Sequence, residues 1–97
     1  MPAFIVFIRT RTRDEAEMAL YRHTAQSSFS DRVFKKHASF GAHEVLEGAN
    51  VEGVAIVEFP SLADARAWYE SPAYQSAAKH RHLGADYNVV IVEGLNP

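Results

Sequence analysis

Cysteine is absent from this 97-residue chain, which excludes disulfides, thiol nucleophiles and thiolate metal sites and fits a reducing compartment. An excess of either charge is missing too. Ten Lys and Arg stand against 12 Asp and Glu for a net charge of -2, which gives no electrostatic pull toward nucleic acid. The apolar run of the N-terminal strand, Ala3 to Ile8, is far too short to span a bilayer, so no membrane association is expected. No basic segment precedes it as in a signal peptide, and the chain reads as cytoplasmic. Glycine-rich phosphate loops, nucleophile elbows and dinucleotide fingerprints are likewise lacking.

What is present is the composition of an ordinary globular domain, 47% hydrophobic and 23% charged. Residues 1–97 are expected to form a single domain, and a chain of this length buries roughly 60 to 65% of its unfolded surface, a modest amount that a partner would supplement.

Period-two and period-three-to-four patterns divide the chain. Ala3 to Thr10 reads as a strand with Phe4, Val6 and Ile8 on one face and Ile5 and Phe7 on the other. Arg9, Arg11 and Arg13 read as its solvated exit. Asp14 and Glu15 open a helix whose stripe is Met18, Tyr21, Ala25 and Phe29, expected to run to about Lys36 with its second half weakened by Ser27, Ser28 and Ser30. Ser39 to Glu47 is read as the second strand and Gly53 to Phe59 as the third, reversed at Gly48-Ala49-Asn50. In the third strand Val54, Ile56 and Glu58 share a face. Pro60 ends it, because proline donates no ladder hydrogen bond.

Ser61 and Asp64 then make a box-like helix start, and Ser71-Pro72 repeats the signal, predicting a kink or restart. Tyr74, Ala77, Ala78 and Arg81 lie on one side of the second piece, which Gly84 closes. Tyr87 to Glu93 is the last strand. The order is that of an α+β, ferredoxin-like βαββαβ fold with a four-stranded antiparallel sheet.

Three of the four strands are apolar on both faces, yet the helices can cover only one. A second copy packed sheet against sheet is the simplest cover, giving a homodimer through the sheet face. The segment Gly94 to Pro97 is too short to serve instead.

The motifs VLEG at Val45 to Gly48, EFPSLADARAWYESPAYQ at Glu58 to Gln75 and VVIVEG at Val89 to Gly94 together resemble a bacterial family, domain of unknown function 1330, within the dimeric α/β-barrel superfamily. The resemblance implies a ferredoxin-like protomer, a barrel-like dimer with back-to-back sheets, and room for a pocket between each sheet and its helices. It implies no reaction, since the superfamily includes cofactor-free monooxygenases, isomerases, haem enzymes and proteins without known activity.

Candidate chemistry falls on few residues. Glu58, a carboxylate in an apolar layer, is a candidate general base, or else a structural acceptor for backbone amides, Arg66 or Arg81. Trp68, Tyr69 and Tyr74 combine apolar bodies with polar handles suited to a planar ligand, and Tyr21 is placed to face Tyr74. Arg81 is a candidate for orienting that ligand. Core packing is the competing role for Trp68. His43 is the histidine kept as an acid/base candidate, with solvent exposure as its alternative. His23, His37, His80 and His82 form no metal-ligand spacing, and His80 and His82 diverge on a helix.

The expected function is binding of a small, partly apolar organic molecule between sheet and helices, with cofactor-independent acid/base chemistry as its enzymatic form. No metal or cofactor is expected. A non-catalytic dimerisation module and a haem or metal protein using a histidine stand as alternatives.

Overall fold

The computed structural model describes residues 1–96. Its elements run β1 (Ala3–Thr12), α1 (Glu15–Ser27), β2 (Lys35–Ser39), β3 (Gly53–Phe59), α2 (Leu62–Glu70), α3 (Pro72–Gly84) and β4 (Ala85–Glu93). The strands form one antiparallel sheet in the order β2-β3-β1-β4, the ferredoxin-like arrangement. Pro97, the end of the proposed C-terminal tail, lies outside the described residues.

Local chemistry fixes the helix starts. The Asp14 carboxylate accepts from the amides of Ala16 and Glu17 at 3.0 and 3.2 Å, and the Ser61 hydroxyl accepts from Asp64 N–H at 3.1 Å, each satisfying a donor that has no partner within its helix. Ser71 serves both sides of the predicted break. Its hydroxyl donates to Trp68 O at 2.7 Å and accepts from Tyr74 N–H at 3.2 Å, while Pro72 occupies the first turn of α3, where the missing N–H costs nothing.

Two boundaries differ from expectation. Helix α1 stops at Ser27 instead of continuing to Lys36. The hydroxyls of Ser27 and Ser28 turn back onto the carbonyls of Thr24 and Ala25 at 3.0 and 2.5 Å, the competition with the backbone ladder that makes serine a weak helix former. The second strand is Lys35–Ser39, not Ser39 to Glu47. It ends because Phe40 takes the left-handed conformation, with φ 59°, which breaks extended pairing. Residues 40–50 then form an exposed connection. As an edge strand, β2 carries Lys35, Lys36 and His37 and a bulge between Lys36 and Ala38, features that blunt an open sheet edge.

The core lies on the side of the sheet that the helices cover. Ala3, Ile5 and Phe7 of β1 and Ala55, Val57 and Phe59 of β3 are buried against Ala65, Trp68, Tyr74 and Ala78. Where α3 passes α1, Gly84 approaches so closely that a Cβ would stand 2.9 Å from Met18 Cγ. The opposite face carries Phe4, Val6 and Ile8 beside Val54, Ile56, Val90 and Val92, paired in register across β3, β1 and β4, and no helix or strand among the described residues covers it. Val90 and Val92 are 51% and 50% exposed. No helix among the described residues is long and apolar enough to cross a membrane.

Candidate functional site

Helix α1, strand β2 and the covered face of the sheet enclose a cavity of about 290 Å³. Its wall is largely aromatic: Phe7, Tyr21, Phe29, Phe40, Trp68, Tyr74 and Tyr87 all contribute. The kink at Ser71-Pro72 brings Trp68 at the end of α2 and Tyr74 at the start of α3 together, ring centroids 4.2 Å apart. Trp68 also stacks on Phe29 at 4.6 Å, and its indole N–H donates to Ser28 Oγ at 3.1 Å. Trp68 thus belongs both to the core and to the cavity wall.

Tyr21 reaches across from α1, and its hydroxyl lies 2.8 Å from that of Tyr74. Burial pushes the pKa of both phenols above the ordinary tyrosine value, because the interior disfavours the phenolate. At neutral pH the pair therefore holds its protons. One proton serves the link between the two oxygens, which leaves the other hydrogen free to be offered to a carbonyl, phenolic or carboxylate oxygen.

The charged groups lining the cavity are all cationic: Arg9, Arg22 and Lys36. Arg9 is paired with Glu52 at 3.1 Å and its guanidinium lies 4.8 Å from the Phe40 ring centroid. Arg22 reaches Glu15 only at 3.9 Å. Lys36 Nζ sits 5.5 Å from the ring centroid of Phe29 and makes no ion pair among the described residues. Neither a histidine nor a carboxylate lines this space.

The candidates from sequence separate into three places. Tyr21, Trp68 and Tyr74 meet in the first cavity. Tyr69 and Arg81 face a second, more open cavity beside β4. Glu58 lies on neither wall: strand parity sets it on the uncovered face opposite Phe4, where its Oε1 is 2.6 Å from His37 Nε2. Glu58 thus stands apart from Tyr21 and Tyr74, and its side-chain partner is His37 in place of the expected backbone amides, Arg66 or Arg81. His43 sits in the exposed connection after β2, not within a strand, with Nε2 3.0 Å from Val51 O. Among the described residues no three His, Asp or Glu converge as metal ligands.

Sequence reasoning passed over Phe40, Tyr87 and the cationic rim. Tyr87 was within reach, since its alternation with Val89 and Ile91 puts it on the covered face. Phe40 was not, because its position follows from a left-handed turn.

Known proteins agree with this architecture. The crystal structure of RPA0582, a protein of unknown function from Rhodopseudomonas palustris, superposes with a TM-score of 0.73 at 23% identity, covering 99% of this chain and 84% of that one. A dimeric protein of unknown function and ferredoxin-like fold from Bacteroides fragilis gives a TM-score of 0.63 at 14% identity over 96% of each chain. SnoaB, a cofactor-independent oxygenase from Streptomyces nogalater, gives 0.61 at 11% identity, covering 99% of this chain and 95% of that one. At such identities the likeness establishes the fold alone. No curated protein matches the chain. The family profile described as Domain of unknown function (DUF1330) matches residues 2–95, and the chain belongs to that family.

Proposed function

We propose that the protein is a homodimer that binds a small, planar, partly apolar organic anion in the cavity between the sheet and α1. The observation that carries this reading is the lining: seven aromatic side chains around about 290 Å³, with Arg9, Arg22 and Lys36 and no carboxylate in the wall, Lys36 being the cation without an ion pair among the described residues. Aromatic walls favour a planar body, and the cationic rim favours a negative charge on it. The protonated Tyr21–Tyr74 pair suits an oxygen at the ligand's inner end.

Binding fits this geometry better than turnover. A general base must come within hydrogen-bond reach of the proton it removes, and Glu58 and His43 stand outside the cavity. Any acid/base chemistry here would fall to Tyr21 and Tyr74 acting as proton donors toward a developing enolate or phenolate oxygen. The dimer rests on the uncovered apolar face of the sheet, consistent with the dimeric state of the Bacteroides fragilis neighbour.

The chain has one tryptophan, Trp68, and it lines the cavity, so its emission reports on occupancy. Titration with 2-naphthoate should give a saturable change in Trp68 fluorescence, weaker with uncharged 2-naphthylmethanol. Ala25→Phe, which fills the cavity from α1, should weaken 2-naphthoate binding at least about tenfold, or roughly 1.4 kcal/mol. An unsaturable response, or one that A25F leaves unchanged, would contradict the proposal.

A further inference from the structure

Arg81 is a buried charged side chain that does not line the first cavity. It is only 4% exposed, its Nε has no hydrogen-bond partner, and it forms no ion pair among the described residues. Its Nη2 reaches the Tyr69 hydroxyl and His82 Nε2, each at 3.4 Å. The guanidinium carbon lies 5.1 Å from the ring centroid of Tyr87 and 6.0 Å from that of Phe7. A buried cation is costly unless an anion and hydrogen bonds compensate it. Aromatic faces supply a part of that compensation, but no counter-ion lies among the described residues.

The guanidinium opens on the second cavity, about 440 Å³, which Arg81 lines with Arg13, Tyr69, His82, Asp86 and Val89 among others. Arg13 is already committed. Its Nε pairs with Asp86 at 3.0 Å, and its terminal nitrogens donate to the carbonyls of Leu83, His82 and Ala85. Asp86, the one carboxylate in this lining, is neutralised by that contact. The uncommitted charge is a single positive one, fixed on a planar group and flanked by the Tyr69 and Tyr87 rings and Val89.

We propose that this second cavity binds a small organic carboxylate, with Arg81 as its counter-ion. A guanidinium edge offers two parallel N–H donors that match the two oxygens of a carboxylate, and one unpaired positive charge is balanced by a monoanion. The apolar flank accommodates a short hydrocarbon portion. His82 is partner to the same event: partial burial and then Arg81 lower its pKa, and a bound anion would raise it again. The site adjoins the first cavity: Tyr87 lines both, and Arg81, although absent from the first lining, acts electrostatically on Tyr21 and Tyr74.

Propanoate is a suitable probe because it gains little from the aromatic cavity. In the full-length protein at constant ionic strength, NMR titration with propanoate should shift the Arg81 Nε–H, His82 and Val89 resonances together and saturably. Arg81→Gln should weaken propanoate binding at least about tenfold, with R81K intermediate. The Arg81 Nε–H signal of the unaltered protein provides the answer even where R81Q does not fold. Absence of saturable shifts, shifts that survive R81Q, or tighter binding of inorganic phosphate than of propanoate would each overturn the assignment.

Discussion

The two faces of the sheet are built from the same kinds of residue, yet they end in different environments. Ala3, Ile5, Phe7, Ala55, Val57 and Phe59 are sealed beneath α2, α3 and part of α1, whereas Phe4, Val6, Ile8, Val54 and Ile56 remain half-buried and Val90 and Val92 stay open. Hydrophobicity therefore does not distinguish them. The difference lies in the cover. On the helix side the cover is imperfect, because α1 ends early at Ser27 and leaves an aromatic hollow over β1, β3 and β4. On the other side the surface is continuous and uncovered, the form of a self-complementary patch. On the proposed reading, one face holds a small molecule and the other a second copy.

The largest expected effect is on the covered face. Trp68→Ala removes a side chain wedged between Phe29, Phe59 and Tyr74 and should destabilise the fold by about 3–5 kcal/mol in urea unfolding. A much smaller loss would place Trp68 in the cavity wall alone. On the open face, Val90→Glu should leave protomer stability within about 0.5 kcal/mol while costing the dimer about 2–3 kcal/mol through a desolvated polar group, read by sedimentation as dissociation at higher protein concentration. Equal self-association before and after the change would remove the open face from the interface.

The tyrosine pair sharpens the same contrast through pH. In the unfolded chain Tyr21 and Tyr74 ionise near the ordinary value of 10.0, whereas burial keeps both protonated to higher pH in the folded protein. The folded state then binds more protons, so stability is fully present below about pH 10 and falls above it. Each phenol should add a slope of about 1.4 kcal/mol per pH unit. Tyr74→Phe should reduce the alkaline slope measured by urea unfolding at successive pH values, and an unchanged slope would contradict the burial of that phenol. The smallest effect is expected at Glu58 on the open face. Glu58→Gln disturbs a half-exposed contact with His37 and should cost the protomer no more than about 1 kcal/mol, with binding of 2-naphthoate unchanged.

Element order was legible in the sequence where one signal dominated. Ser61 and Ser71-Pro72 announced two helix starts through side-chain chemistry that acts within a turn, and the alternation in Ala3 to Ile8 and Gly53 to Phe59 separated the sheet faces. Strand β2 was not legible, because Lys35, Lys36 and His37 are edge-strand residues whose pairing depends on β3 and on a bulge. For the site, helical spacing brought Tyr21, Trp68 and Tyr74 together. Alternation grouped Glu58 with Val54 and Ile56 but said nothing about which face would meet the helices. That choice is tertiary, and it moved Glu58 across the sheet. The unpartnered Nε of Arg81 was equally invisible, since burial without a partner is a property of packing and not of spacing.

The most direct test of the two-face account is to locate bound 2-naphthoate by intermolecular nuclear Overhauser effects. The account predicts contacts from the ring protons to the methyl groups of Ala25, Ala55 and Val57, which line the hollow beneath α1. Contacts instead to Val6, Ile56 and Val90 would place the ligand on the open face and contradict it.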